Sequence, residues 1–264
     1  SWIWRLAAGK DGAVIGQLHT RLLANAVDIV NGDLCQLCEA ARVHAVTIVC
    51  GINECDRRNG GGTLYNSVVV IGVNGAVLNR HRKLMPTNPE RMVHGFGDAS
   101  GLRAVDTPVG RVGALICWEN YMPLARYALY AQGVEIYVAP TYDTGEGWIC
   151  TMRHIALEGR CWVLGSGSAL RGSDIPDDFP SRAQLFADPD EWINDGDSVV
   201  VNPQGRIVAG PLHREAGILY ADIDVSLVAP ARRALDVTGH YARPDIFDLQ
   251  VRRTPATAVR YIDG

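Results

Sequence analysis

Three residues of this 264-residue chain combine reactive chemistry with a setting that could position it. Cys117 closes the apolar run Arg111 to Cys117 (RVGALIC) and is followed by WEN and a helix expected from Pro123. A thiol at such a strand-to-helix turn projects from the end of a sheet. Neighbouring backbone N–H groups can there stabilise both a thiolate and an oxyanion. The competing reading is a cysteine merely buried in an apolar strand. Lys83, in RHRKLMPT, follows a strand and by itself reads as a solvated charge. Glu90, in PTNPERMVHGFGD, by itself reads as a surface carboxylate or the partner of a nearby arginine. Cys35 and Cys38 form a CxxC, but Cys50 and Cys55 complete it poorly as a zinc site. Leu34, Cys35, Leu37, Cys38 and Ala41 instead make one apolar helical stripe, so core packing is expected for the pair.

The elements that must hold these residues alternate between strand and helix. Asn31 or Asp33 can cap a helix running to about Val43, and Val46 to Ile52 reads as a strand. Leu64 to Gly72 and Ala76 to Arg80 form a hairpin through Asn74-Gly75. The run Arg111 to Cys117 is near-continuously apolar, as for a strand buried on both faces. A helix from Pro123 to Gln132, with proline at its start and Gly133 beyond its end, precedes a buried strand from Val134 to Ala139. Thr151 to Arg160 reads as a helix and Cys161 to Gly165 as a strand. A second hairpin joins Ser198–Val201 to Arg206–Ala209 through NPQG. A strand at Gly217–Asp222 and a helix at Val225–Leu235 follow. The Asp- and Pro-rich stretch from Arg171 to Trp192 reads as a long surface loop. The mixture implies an α/β fold with mixed sheets covered by helices. No composition shift divides it, so residues 1–264 read as one domain, with residues 236–264 a tail in subunit contacts.

Composition narrows the function. A net charge of −4 with no long basic run gives no nucleic-acid surface. No run of 18 apolar residues predicts a membrane span, and no signal peptide is read at the N-terminus. Seven cysteines, odd in number and scattered, predict free thiols in a reducing, cytoplasmic setting. The histidines show no HExxH spacing, so neither a metal nor another cofactor is expected.

Taken together, HRKLMPTNPER, GRVGALICWEN and APTYDTGEGWICTMRHIALEGRCWVLGS, with DSVVVNPQGRIVAGPL and TGHYARPDIF, resemble the nitrilase superfamily of carbon–nitrogen hydrolases over Val46 to Phe247. CWEN and the TGHYARPD tail resemble its nitrilase branch. The resemblance implies a four-layer α-β-β-α sandwich in the dimer and a Glu-Lys-Cys triad. Its lysine maps to Lys83 and its cysteine to Cys117. A second active-site glutamate maps to Glu90, and Glu119 resembles a structural carboxylate that buttresses the cysteine loop. The family's general-base glutamate is expected upstream of Ser1, so the chain reads as lacking an opening strand–helix–strand. Glu54 follows a strand but resembles a later family position and is not assigned that role.

The implied reaction converts a nitrile to a carboxylic acid and ammonia through thioimidate and thioester intermediates. Trp118, Tyr121, Tyr142 and Trp148 are the expected aromatic lining, against the alternative of core packing. An amidase or carbamoylase with the same triad, and a non-catalytic assembly subunit without the general base, are the competing functions. Self-association is expected as a homodimer or larger oligomer, a helical one included. Leu124, Tyr127 and Leu129 of one helix and Ile155 and Leu157 of another are the expected contacts.

Overall fold

The computed structural model describes residues 2–57, 60–255, 259 and 262. After helix α1 (Gly12–Ala24) and helix α2 (Cys35–His44), strands β1 (Ile48–Cys55), β2 (Leu64–Ile71) and β3 (Val77–Arg82) form an antiparallel sheet in that order. The hairpin turns at Asn74-Gly75. Gly75 has φ +78°, and a Cβ there would lie 2.7 Å from the Cys38 carbonyl oxygen, so glycine is required twice over. A second sheet follows from β4 (Val105–Thr107) and β5 (Gly110–Ala114). Helix α3 (Pro123–Tyr130) leads to β6 (Ile136–Thr141), and helix α4 (Glu146–Gly159) leads to β7 (Trp162–Gly167). Then come β8 (Ala169–Arg171), helix α5 (Arg182–Leu185), β9 (Trp192–Val201), β10 (Ile207–His213) and helix α6 (Val228–Ala234). The strand order is β10-β9-β7-β6-β5-β4, with β8 pairing β9 outside that path. Strands β5, β6 and β7 are parallel, the crossovers being α3 and α4.

The two sheets meet through Val68 and Val70 of β2 against Val112, Ala114, Ile116 and Ile136. On the outer face of the small sheet, Leu34 and Ala41 of the α2 segment pack on Val69 and Ile71. On the outer face of the large sheet, Leu129, Trp148, Met152 and Ile155 of α3 and α4 pack on Tyr137, Val163 and Val199. All four layers of the α-β-β-α sandwich therefore lie within one chain, where the sequence reading had them in the dimer. Gly159 lets α4 approach α3, since a Cβ there would lie 2.4 Å from the Tyr130 ring.

Several expectations are corrected. Helix α2 has no side-chain cap, because the Asp33 carboxylate accepts the Asp28 N–H instead. Cys35 is exposed at its start while Cys38 packs beneath it, so the stripe is only partly core. Helix α4 begins at Glu146 rather than Thr151, behind Gly145 at φ +86°. Leu129 and Ile155 face the core and are unavailable to a partner, whereas Leu124 is 66% exposed. Gly217–Asp222 forms no strand among the described residues. Leu219 packs inward while Ile218 and Tyr220 point to solvent, but no neighbouring strand pairs with the segment. The expected loop at residues 171–192 is folded: Ile175, Leu185 and Phe186 are buried against Leu18 of α1. Its Asp and Pro content masked its apolar anchors, Ile175 and the adjacent pair Leu185 and Phe186. Helix α1 itself went unread, since Gly12 and Gly16 weaken its helical signal and Leu18 is its one buried residue.

Candidate active site

The site forms at the carboxyl ends of the parallel strands, where an open α/β sheet leaves a crevice. Cys117 lies just beyond β5 as the first residue of a 3-10 turn spanning Cys117–Tyr121. Its φ of +52° is in the left-handed region, which an L-residue occupies only when its surroundings impose it. Those surroundings are specific. The buried Asn120 side-chain amide donates to the carbonyls of Leu115 (3.1 Å) and Cys117 (2.7 Å), and the Tyr137 hydroxyl donates to Asn120 Oδ1 at 2.7 Å. Arg126 donates to the Asn120 carbonyl at 2.7 Å.

Glu119, fully buried in the same turn, accepts the backbone N–H of Ile116 at 2.8 Å and that of Leu84 at 2.6 Å. It thus joins the residue before Cys117 to the residue after Lys83. Lys83, 1% exposed at the end of β3, donates to Glu90 Oε2 at 2.5 Å and to Thr87 Oγ1 at 3.1 Å. Glu90 sits in the third position of a short helical turn capped by Thr87, whose N–H donates to Glu90 Oε2 at 2.6 Å. Asn66 of β2 donates to Glu90 Oε1 at 3.0 Å. Burial pushes the Glu90 carboxyl up. The charge and hydrogen bond of Lys83, with the Thr87 and Asn66 donors, outweigh this and hold it below the usual glutamate value.

A cavity of about 340 Å³ collects these parts. Cys117, Glu90, Asn66, Thr141, Tyr142 and Ser166 are among its lining residues. Lys83 stands behind Glu90 rather than on the wall. Of the four aromatic residues expected to line the site, Tyr142 does so, its hydroxyl donating to the Ile193 carbonyl at 3.0 Å. Trp148 does not: it is completely buried among the α3–α4 core residues. Trp118 and Tyr121 point away to the surface, where both donate to Asp143 Oδ2 at 3.0 Å. An aromatic residue next to the nucleophile in sequence need not face it, because the 3-10 turn rotates successive side chains by about 120°.

Glu54 lies on the other face of the small sheet. It accepts from Ser67 (2.6 Å), Arg80 (3.2 Å) and Arg82 (2.5 Å), a buried ion-pair network away from the cavity. Asn66, Thr87, Asn120 and His81 are not among the expected site residues, although His81, Thr87 and Asn120 sit inside the very motifs that drew attention. Among the described residues no three His, Cys, Asp or Glu side chains converge as a metal site. No described helix is long and apolar enough to cross a membrane.

The carbon–nitrogen hydrolase family profile matches residues 13–233. An aliphatic nitrilase of Sinorhizobium fredii (strain HH103) is 44% identical over 236 residues, covering 89% of this chain and 74% of that protein. A bifunctional nitrilase/nitrile hydratase of Lupinus angustifolius is 41% identical over 242 residues, covering 89% and 67%. Among solved structures, a carbon–nitrogen hydrolase from Helicobacter pylori G27 superposes with TM-score 0.67 at 23% identity, over 82% of this chain and 74% of that one. The C. elegans NitFhit protein gives TM-score 0.67 at 22% identity, over 85% and 53%. At these identities the structural matches speak for the fold.

Proposed function

The chain belongs to the carbon–nitrogen hydrolase family, and from that premise we propose that it hydrolyses a nitrile to the carboxylic acid and ammonia through a covalent intermediate on Cys117. The nitrilase names of relatives at 44% and 41% identity support the substrate class. The observation that carries the chemistry is the shared cavity, lined by Cys117 at positive φ and by a Glu90 bonded to Lys83.

In this reading the Cys117 sulfur adds to the nitrile carbon, and the thiol proton passes to a carboxylate. The nitrile nitrogen, now that of a thioimidate, gains negative charge and a proton, and the Lys83 cation stabilises it. Water adds to the carbon, ammonia leaves and a thioester remains. A second water releases the acid and restores the thiol. Glu90 is the carboxylate among the described lining residues. Its lowered proton affinity keeps it ionised at neutral pH, which suits it better to holding Lys83 than to being a strong base. The triad's general-base glutamate, implied by the resemblance, is assigned to no residue of 1–264.

Self-association, as a homodimer or larger oligomer in the cytoplasm, belongs to the same reading. Exposed Leu124, Ile246 and Phe247 around a groove of about 540 Å³ between α3 and the tail support it. The test is ammonia release from an aliphatic and an aromatic nitrile by purified protein, with the matching amides alongside. Release from nitriles, lost in Cys117→Ala, is expected. Turnover of amides alone would replace the reading with an amidase.

A further inference from the structure

The strand that delivers Lys83 and the turn that delivers Cys117 belong to different sheets. Around them the contact between sheets is apolar, Val68 against Ala114 and Ile116, and apolar contact has no direction. Direction comes from Glu119, which holds Ile116 N–H and Leu84 N–H at once. A carboxylate with only those two donors could still swing about its own side chain. A third group prevents this. His81, opposite Val68 in the β2–β3 register, places Nε2 3.1 Å from both Glu119 oxygens. A carboxylate has no proton to give, so Nε2 is the donor. Both side chains are buried, at 1% and 0% exposure, and His81 Nδ1 has no hydrogen-bond partner among the described residues. Among those residues the polar contact of the imidazole is with Glu119.

We propose that His81 is a positioning residue for the reaction, acting through Glu119 to set the separation of Lys83 from Cys117. The inference rests on the nitrilase reading above. His81 is two residues before Lys83 and Glu119 two residues after Cys117, so the pair spans the two reactive segments at their roots. His81 is not among the residues lining the cavity. Its loss leaves both reactive side chains present but their spacing unfixed. A displacement of about 1 Å between reacting groups can cost on the order of a hundredfold in rate.

The test compares His81→Gln, whose amide N–H reaches the place of Nε2, with His81→Leu, which fills space without a donor. On a nitrile the wild type turns over, His81→Leu should lose roughly 10- to 100-fold in kcat with KM little changed, and His81→Gln should keep most of it. Equal losses in both variants would reduce His81 to packing, and a wild-type kcat in His81→Leu would overturn the proposal outright. Nitrogen-15 NMR of the imidazole in the wild-type protein gives a second readout, independent of turnover and of whether the variants fold. Protonation at Nε2 is expected, and Nδ1 protonated with Nε2 bare would overturn the contact on which the inference stands. Should the wild type hydrolyse no nitrile, the nitrilase reading fails. The NMR signature, with the rate of Cys117 alkylation by iodoacetamide in the two variants, still judges His81.

Discussion

The indole N–H of Trp118 and the carboxylate of Asp143 meet at 3.0 Å, tying the cysteine turn to the loop that follows β6. Tyr121 donates to the same oxygen, and Thr144 N–H to the other. That loop begins at Tyr142, which with Thr141 at the end of β6 lines the cavity, and Asp197 anchors its far end by accepting Gly145 N–H at 2.7 Å. Residues expected in the pocket thus brace it from outside. Asp143→Ala should loosen the cysteine turn and the loop after β6 together. We expect a several-fold rise in KM on a nitrile, with Asp143→Asn, which keeps an acceptor, intermediate. Unchanged KM in Asp143→Ala would leave the bond ornamental.

The same bracing explains what could be read beforehand and what could not. Cys117, Lys83 and Glu90 stand in dense motifs; Cys117 and Glu90 line one cavity, and Lys83 bonds Glu90. The parallel strands announced themselves by unbroken apolar runs such as RVGALIC. What stayed hidden depends on partners distant in sequence. Trp148 and Tyr142 look alike on paper. Trp148 sits on the face of α4 that packs on Tyr137, whereas Tyr142 follows β6 at its cavity end, and both placements depend on the tertiary fold. His81 opens the motif HRKLMPTNPER, but its bond to Glu119 depends on the packing of β3 against the cysteine turn, which the motif does not report. Gly217–Asp222 has the right alternation for a strand and lacks only a neighbour, which no local pattern reports.

Replacing the nucleophile separates chemistry from strain. Cys117→Ala should abolish turnover and leave the fold intact, since the thiol is small. Cys117→Gly should be equally inactive yet more stable than the alanine variant, by about 1 kcal/mol, because glycine alone meets φ +52° without penalty. Urea unfolding midpoints of the two variants decide it. An alanine variant as stable as the glycine one would mean the turn stores no strain.

Lys83→Arg should be nearly inactive, because a planar guanidinium cannot occupy the space of an ammonium that bonds both Glu90 and Thr87. Lys83→Met should cost roughly 3 kcal/mol of stability, leaving a mostly buried Glu90 without its cation. Adding Glu90→Gln should return much of that loss while leaving turnover absent. A double-mutant cycle in urea measures the coupling; additive losses would mean the two side chains do not interact.

Acid should destabilise the fold through carboxylates with depressed pKa values. Burial pushes Glu158 up, but the hydrogen bond and charge of Arg126, with the Tyr130 hydroxyl, bring it below the usual value; Lys83 and its neighbours do the same for Glu90. Burial likewise raises Asp197, and Thr144, Gly145 and His213 outweigh it. Each such group binds a proton more readily when unfolded. Its stabilisation is complete above the unfolded value, about 4 for these carboxyls, and is lost as pH falls through the lower folded value. The urea midpoint should therefore be flat from pH 7 to about pH 5 and drop below about pH 4. Glu158→Gln cannot titrate, so its midpoint should be lower at pH 7 and should fall less steeply in acid. Parallel pH curves for the wild type and Glu158→Gln would show that the Arg126–Glu158 pair, 2.9 Å apart and linking α3 to α4, contributes nothing to acid sensitivity.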